Sequence, residues 1–321
     1  ERYYPKEKYR GFKGGKAGFV LSSILSASRY DIIFLGHINM AIIGVAIKRL
    51  YPSKKVILIT HGIDVWRELT GFKSRILRSA DHILSVSNFT RSKLGELHDV
   101  SSDRVTVFPN TIDPFFPMPQ SLGKTLALNR RYGIDDGDFV IFTLTRLSAT
   151  ELFKGYDKVI EALAPIVKKH KRVKYVIAGR YDAAEKERID GLVAENNLQG
   201  HVILTGFVKE EELVEHYQMA DMYIMPSKKE GFGIVFIEAL VCGLPVVAGN
   251  ADGSVDALLN GELGTLVDPD SVGDIRDAIL EHVENNNRED EQERREIRQK
   301  TLDKFAFDKY RQRLENIIAT C

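Results

Sequence analysis

The fold of this chain is decided by residues 223–256, which read YIMPSKKEGFGIVFIEALVCGLPVVAGNADGSVD. Apolar residues 223–225 end at a proline and a polar turn, which predicts a short buried strand. Residues 234–242 predict a helix that ends at Gly243, and residues 244–248 predict a second buried strand. The order strand, loop, helix, strand is that of a βαβ unit in a parallel sheet.

Two glutamates in this stretch predict a ligand site. Glu230 stands in the loop, and Glu238 stands about a turn into an otherwise apolar helix, where a carboxylate is costly to bury unless something binds it. Gly231 and Gly233 let a ligand approach the backbone closely. The N–H groups that open the helix favour hydroxyls or phosphates.

The pattern from Glu230 to Glu238, followed by Gly-x-Pro-Val-Val, resembles the E-x7-E signature of retaining, nucleotide-sugar-dependent glycosyltransferases of family 4. The strings THG (60–62), VSNFTR (86–91) and PN-x-ID (109–113) resemble further landmarks of that family. Thr111 stands where the family commonly has glycine. The resemblance implies an α/β GT-B fold, in which two Rossmann-like, doubly wound parallel-sheet domains face a cleft.

A chain of 321 residues suits two domains of ordinary size. The proline-rich segment 114–121, PFFPMPQS, predicts the boundary between an acceptor-side domain, 1–118, and a donor-binding domain, 119–304. Residues 305–321 predict an amphipathic helix, which by resemblance packs back on the first domain. The polar run 284–300 predicts either a solvated helix or a mobile hinge.

The amino-terminal region departs from the family pattern. The family opens with a strand and a glycine-rich loop, whereas this sequence shows no strand before residue 19. The first strand is therefore expected to be missing from this chain, and an absent glycine-rich loop would put activity in doubt.

Composition excludes several classes of protein. The chain is 44% apolar and 28% charged, and no uninterrupted apolar run approaches the ~20 residues of a membrane-spanning helix. Two cysteines make no disulfide framework, which predicts a reducing cytoplasm, and no Cys/His spacing predicts a metal site. No recognised nucleic-acid-binding module is present, so nucleic acid is not an expected partner.

Charge is divided unevenly although the net charge is zero. Residues 1–118 hold 18 Lys and Arg against 10 Asp and Glu, whereas residues 119–321 hold 27 against 35. The basic half predicts peripheral contact with the inner face of an anionic membrane; a chance imbalance of solvated charge is the alternative. Five cations interleaved with aromatic residues lead this half: Lys6, Lys8, Arg10, Lys13 and Lys16.

Two cations are candidates for the leaving diphosphate. Arg146 and Lys154 flank a loop at the end of a predicted strand, so both can converge on a phosphate. The resemblance implies that they are the family's diphosphate-binding pair and that they replace a divalent metal. No cofactor is then expected beyond the nucleotide-sugar substrate.

The resemblance implies roles for the remaining candidates. Glu238 would accept hydrogen bonds from the ribose. Glu230 and His61 would face the donor sugar, and with the diphosphate-binding pair Arg146 and Lys154 they form the expected catalytic set. The other donor-side candidates are Gly231, Phe232, Gly233 and Ile234 for the sugar, and Arg180 and Val208 for the base. His37 and Asn39 follow a predicted strand and are the acceptor-side candidates.

The sequence therefore predicts a retaining hexosyltransferase that uses a nucleoside-diphosphate sugar. UDP-hexose is favoured because it is frequent in the family, and the expected acceptor is a glycan or a lipid-linked saccharide in polysaccharide biosynthesis. Two alternatives stay open: a catalytically degenerate nucleotide-sugar-binding protein and a nucleotide-sugar epimerase on the same fold. A hydride-transfer enzyme is disfavoured, since no predicted strand leads into G-x-G-x-x-G.

Overall fold

The structure is a computed structural model that describes residues 2–285 and 291–320. Contacts divide the chain into two compact units, Glu1–Phe108 with Glu315–Cys321, and Pro109–Leu314. The first change of unit therefore lies at residue 108 rather than 118, and the return lies at 315 rather than 305. The backbone N–H of Ile112 and the hydroxyl of Thr111 both donate to the carbonyl of Phe305, at 2.9 and 2.8 Å, so the residues just before the predicted boundary segment are bonded within the second unit.

The first unit contains a four-stranded parallel sheet. Its strands lie in chain order, β1-β2-β3-β4. Apolar side chains from them fill one core, in which Val56, Leu58 and Ile83 are buried. The strands are β1 (Ile32–Leu35), β2 (Lys55–Thr60), β3 (His82–Ser85) and β4 (Val105–Val107).

Helices connect these strands. The Ser87 hydroxyl accepts a hydrogen bond from the Thr90 N–H at 3.1 Å, so Ser87 is the N-cap of the fourth helix. The helices are α1 (Lys16–Ser26), α2 (Ala41–Leu50), α3 (Gly71–Ser79) and α4 (Asn88–His98). Short 3₁₀ turns cover Lys6–Lys8, Ala27–Arg29, Ile38–Met40 and Ser102–Arg104.

The second unit contains a six-stranded parallel sheet in the order β10-β9-β8-β5-β6-β7. The chain builds outward from β5 in one direction through β6 and β7, and then returns to add β8 on the other side. This reversal is typical of a doubly wound sheet. The strands are β5 (Phe139–Leu144), β6 (Val173–Ala178), β7 (Val202–Gly206), β8 (Met222–Met225), β9 (Val246–Gly249) and β10 (Thr265–Val267).

The predicted βαβ unit is confirmed as β8, a helix and β9. Strands β8 and β9 are buried throughout, as their continuous apolar sequence predicts.

The second compact unit also contains the remaining helices, the last of which continues into the first compact unit. They are α5 (Asn129–Tyr132), α6 (Tyr156–Lys169), α7 (Ala183–Glu195), α8 (Leu213–Gln218), α9 (Ile234–Val241), α10 (Ser254–Ala257), α11 (Val272–Asn285), α12 (Glu291–Phe305) and α13 (Phe307–Thr320). Its 3₁₀ turns are Leu152–Lys154, Glu210–Glu212 and Leu259–Gly261.

The polar run 284–300 is the segment for which a hinge was an alternative prediction. Residues 286–290 lie outside the described residues, but residues 291–300 are helical in α12. This helix packs against α9, and the Arg294 side chain is buried, with its guanidinium donating to the Leu122 carbonyl at 2.9 Å. The hinge interpretation is therefore wrong for residues 291–300. The sequence could not show this because a single buried arginine leaves no apolar pattern.

The predicted helix 305–321 is present as α13, but its first residue differs. Phe305 ends α12, and its buried ring meets Phe232 edge-on at 5.4 Å, whereas α13 begins two residues later.

No helix within residues 2–285 and 291–320 is long and apolar enough to cross a membrane.

Candidate functional site

The reversal of strand order in the second sheet marks the place where a ligand is expected. Ligands of doubly wound sheets bind outside the carboxyl ends of the strands at such a point. Strands β5 and β8 are neighbours there, and they end at Leu144 and Met225. Arg146 lies two residues after the end of β5, and Glu230 lies in the loop after β8, residues 226–233, which we call the donor loop.

A glycine draws the loop after β5 against the donor loop. Gly155 has φ +78°, and a Cβ atom built on it would lie 2.2 Å from the carbonyl oxygen of Pro226. Only glycine permits this backbone conformation together with so close an approach. The Lys228 N–H donates to the Phe153 carbonyl at 2.9 Å, which joins the same two loops. Lys154 is therefore held beside the donor loop.

The structure brings Lys154 and Glu230 together as an ion pair between the Lys154 ammonium and Oε1 of Glu230. The side chains are 15% and 17% exposed, so the pair is more than a contact between solvated surface charges. Arg146 is placed differently. Its side chain is 71% exposed and pairs with Glu151, so the two predicted cations contact different carboxylates. Glu151 was not predicted from the sequence.

A buried aspartate missed by the sequence reading fixes the position of Glu230. Asp252, in the loop after β9, is fully buried and accepts a hydrogen bond from the Glu230 N–H at 2.6 Å. Burial raises the pKa of Asp252 to about 6, although hydrogen bonds to the carboxylate oppose that shift. The available signal was its place after a buried strand and before Gly-Ser at a helix start, where an aspartate caps.

Glu238 projects from the second turn of α9 and is partly buried. The hydroxyl of the fully buried Tyr217 donates to Oε2 of Glu238 at 2.8 Å. Burial raises the pKa of Glu238, and the hydrogen bond from Tyr217 acts in the opposite direction. A carboxylate held in this way can accept hydrogen bonds from ligand hydroxyls. Tyr217 was not predicted from the sequence.

The residues between the two glutamates form the helix start. Gly233 precedes α9 with φ +85°, and Ile234 begins the helix with a side chain that is 42% exposed. Phe232 points into the core instead and is buried, so only its backbone can serve a ligand. The carbonyl oxygen of Gly231 would lie 2.1 Å from a Cβ on Gly253, which keeps the loop after β9 in close contact with the donor loop.

The predicted base-binding residues lie at the ends of β6 and β7. The Arg180 guanidinium lies 4.5 Å from the ring centroid of Phe207, which is 62% exposed. Val208 follows in the chain and is partly buried. This exposed cation–aromatic pair offers a flat surface for a base.

Two histidines meet in the first unit at the ends of β1 and β2. The rings of His37 and His61 stack with centroids 5.8 Å apart. Nε2 of His61 lies 2.7 Å from the carbonyl of Gly36 and therefore carries a proton, whereas Nδ1 of His37 accepts the Asn39 N–H at 3.0 Å. Sequence reasoning predicted all three side chains at this edge. Lys73, which donates to Oδ1 of Asn39 at 2.7 Å, was missed.

Asp64 completes this cluster and was also missed. Its Oδ1 accepts the His61 N–H at 3.0 Å, and Oδ2 is buried with no hydrogen-bond partner among the described residues. Burial raises the pKa of Asp64, while the His61 N–H and the two imidazoles lower it.

The arrangement in the second unit can bind a nucleoside diphosphate bonded to a polar group. It offers two cations, the start of α9, a carboxylate at Glu238 that can accept from a hydroxyl, and an exposed cation–aromatic pair. Across the described ranges, no group of three or more His, Cys, Asp or Glu side chains could hold a metal ion.

Two family models match the sequence. The model described as Glycosyl transferases group 1 covers residues 126–301, and the model described as Glycosyltransferase Family 4 covers residues 2–115. The first contains all the donor-side candidates, and the second contains His37, Asn39 and His61.

Curated relatives carry named activities. The GDP-mannose-dependent alpha-(1-6)-phosphatidylinositol monomannoside mannosyltransferase of Mycolicibacterium smegmatis is 31% identical over 252 residues, covering 75% of this chain and 63% of the relative. The protein of the same name from Mycobacterium tuberculosis is 31% identical over 245 residues, 73% of this chain and 61% of the relative. The chain therefore spans less than two thirds of the length of these relatives.

Solved structures share the fold. HepE of Anabaena in complex with UDP superposes with a TM-score of 0.80 at 19% identity, covering 96% of this chain and 84% of that one. Sucrose-phosphate synthase of Thermosynechococcus elongatus gives 0.76 at 20% identity, covering 99% and 80%. At this identity the likeness establishes the GT-B fold and nothing about the ligand.

Proposed function

Because the chain belongs to the Glycosyl transferases group 1 family, we propose that it transfers a hexose from a nucleoside-diphosphate sugar to a saccharide acceptor with retention of anomeric configuration. The observation that carries this proposal is the ion pair of Lys154 with Glu230 beside the start of α9. A cation paired with a carboxylate beside a helix start suits a bond that breaks between a phosphate and a sugar.

The reaction asks three things of the protein. The departing diphosphate must be neutralised, the oxocarbenium-like sugar must be stabilised, and the acceptor hydroxyl must be held on the correct face. We assign the first task to Lys154 and Arg146 and the second to Glu230. Glu238 holds the ribose, which does not move during the reaction.

The proton of the acceptor hydroxyl needs a base. In the proposed step the acceptor oxygen forms a bond to the anomeric carbon on the face from which the diphosphate leaves, and a phosphate oxygen takes the proton. No metal is needed if the two cations carry the diphosphate charge. His61, His37 and Asn39 are proposed for the sugar and the acceptor.

The donor is proposed as GDP-mannose, with UDP-hexose as the second choice. The mycobacterial relatives that share 31% identity are named as GDP-mannose-dependent, which favours a guanine nucleotide over the uridine nucleotide expected from family frequency. The exposed pair of Arg180 and Phe207 supports either base by stacking, and the Arg180 fork can donate to the acceptors of guanine.

The acceptor is proposed as a glycan or a lipid-linked saccharide of polysaccharide biosynthesis, reached from the cytoplasmic face of a membrane. Exposed aromatic side chains accompany the basic amino-terminal segment: Tyr3, Tyr4 and Tyr9 are 61%, 59% and 70% exposed. On α1, Leu21 and Leu25 are 60% and 59% exposed. Cations beside exposed apolar groups suit an anionic lipid surface.

The test is transfer of labelled sugar. The purified chain is incubated in EDTA with GDP-mannose, UDP-glucose or UDP-galactose, each with and without a lipid-saccharide extract as acceptor. We expect label to enter the acceptor from GDP-mannose and release of GDP to rise when acceptor is present.

Each other outcome has a meaning. Tight GDP binding without transfer to any acceptor would favour a degenerate binding protein, and an altered sugar still bound to the nucleotide would favour an epimerase. Activity that is lost in EDTA and restored by a divalent cation would contradict the metal-independent assignment. Lys154→Ala is the variant that tests the diphosphate assignment in this assay. Its matched control is Lys158→Ala, which removes a neighbouring helix cation that is paired with Glu161.

A further inference from the structure

The two cations assigned to the diphosphate each have a carboxylate partner within the protein. The Lys154 ammonium pairs with Glu230, and the Arg146 guanidinium pairs with Glu151. Each of these pairs carries no net charge, whereas a diphosphate is multiply negative at neutral pH. The two pairs by themselves therefore leave the charge of a bound diphosphate uncompensated.

The donor loop carries two further lysines, and these differ in their partners. The Lys228 ammonium pairs with Asp270 at 2.6 Å. Lys229 is exposed, and no carboxylate in the described part of the chain lies within ion-pair distance of its ammonium. Lys229 therefore adds a positive charge to the donor loop that no carboxylate partner compensates.

A phenylalanine places this charge beside Lys154. The Lys229 ammonium lies 5.4 Å from the ring centroid of Phe153, and the Lys154 ammonium lies 5.6 Å from the same centroid. Both cations are attracted to the electrons of one aromatic ring, although they repel each other. An anion that binds to both ammonium groups would offset that repulsion.

The ring that carries the two cations is fixed to the donor loop. Phe153 is partly buried, and its carbonyl accepts the Lys228 N–H at 2.9 Å. The Lys229 N–H donates to the hydroxyl of the fully buried Ser227 at 3.2 Å, which holds the backbone of the loop at this residue. The backbone that carries Lys229 is therefore ordered before a ligand binds, which lowers the entropic cost of binding.

We propose that Lys229 is a further donor-binding residue, whose ammonium binds the phosphate that is joined to the sugar. Position decides which phosphate: Lys229 directly precedes Glu230, which is assigned to the sugar, and it shares the Phe153 ring with Lys154, which is assigned to the diphosphate. The identity of the ligand rests on the proposed function, but its binding can be measured without turnover.

Isothermal titration in EDTA tests the contact with three ligands: GDP, GMP and inorganic pyrophosphate. Lys229→Met removes the charge and keeps an unbranched apolar side chain. We expect this variant to bind GDP and pyrophosphate about five- to tenfold more weakly than the wild type. The affinity for GMP should change less than about twofold, because GMP lacks the phosphate that the ammonium contacts.

Two variants serve as comparisons. Lys228→Met is the matched control, because Lys228 is the adjacent exposed lysine and Asp270 already compensates its charge. This control should bind all three ligands as the wild type does. Lys229→Arg retains the positive charge and should bind GDP within about threefold of the wild type. Added salt should reduce the difference between the wild type and Lys229→Met, because ions screen an exposed charge.

The results separate this proposal from the proposed function. Wild-type affinity for GDP and pyrophosphate in Lys229→Met, an equal loss for GMP and GDP, or an equal loss in Lys228→Met would overturn the role of Lys229. A protein that binds pyrophosphate through Lys229 but transfers no sugar would support the binding residue and contradict the proposed function. A wild type that binds none of the three ligands would overturn both.

Discussion

Glu238 offers the sharpest test of how the site binds a nucleotide. Tyr217 donates to Oε2 of Glu238 at 2.8 Å, and in the described part of the chain Oε1 accepts no hydrogen bond. A ribose hydroxyl that donates to Oε1 makes a hydrogen bond to a charged acceptor, which contributes about 1.5–3 kcal/mol. Replacing Glu238 by alanine should therefore weaken GDP binding about 10- to 100-fold.

The same side chain makes binding depend on pH. Burial raises the pKa of Glu238, so the protonated form, which has lost one acceptor, accumulates at a higher pH than for an exposed glutamate. GDP affinity is then highest at pH values above this raised pKa and falls as the pH drops through it. Binding should be accompanied by proton release when it is measured within that range.

Tyr217→Phe checks the cause. The Tyr217 hydroxyl lowers the pKa of Glu238, so its removal should raise that pKa further and move the loss of affinity to higher pH. Affinity well above this range should change little, because Oε1 and the charge remain. Glu238→Gln should bind GDP weakly, because it has lost the charged acceptor. Its affinity should not depend on pH in this range, because glutamine does not titrate.

Isothermal titration with GDP at several pH values measures these affinities. Repeating the titration in two buffers of different ionisation enthalpy gives the number of protons released on binding. Glu215→Gln, which neutralises an exposed glutamate on α8, is the control and should match the wild type. Glu230→Ala should show the opposite pattern from Glu238→Ala, with kcat reduced and GDP affinity kept. Wild-type affinity in Glu238→Gln, or an equal loss of affinity in both alanine variants, would refute the separate roles.

Two further predictions concern the cations. Lys154→Ala or Arg146→Ala should lower kcat/KM roughly 10²–10³-fold while the protein remains folded, because each removes positive charge from the developing diphosphate; near-normal kcat/KM in either variant would contradict the assignment. The protein should pellet with anionic vesicles at low salt and be released at high salt, since each cation of the amino-terminal segment contributes about 1 kcal/mol to the free energy of binding such a surface. Five cations are replaced together by glutamine, namely Lys6, Lys8, Arg10, Lys13 and Lys16. This replacement should abolish pelleting, and unchanged pelleting would rule out their role.

The sequence was sufficient for the elements whose pattern is local. Helix α9 was predicted to within a residue of its observed bounds, since apolar runs, caps and glycine stops act over a few neighbouring residues. The E-x7-E pattern was enough to assign the family, because the loop and helix that carry both glutamates are continuous in the chain. The roles of the site residues stay predictions.

Only the tertiary structure decided which side chains meet. Lys154 and Glu230 are 76 residues apart, and they form a pair because β5 and β8 are adjacent and Gly155 lets their loops touch. Arg146 contacts Glu151 instead, although its spacing from Lys154 suggested a shared target. Asp252 reaches the donor loop through the pairing of β8 with β9. Such contacts depend on strand order and loop approach, which are set by the packing of segments distant in sequence, and no local pattern records them.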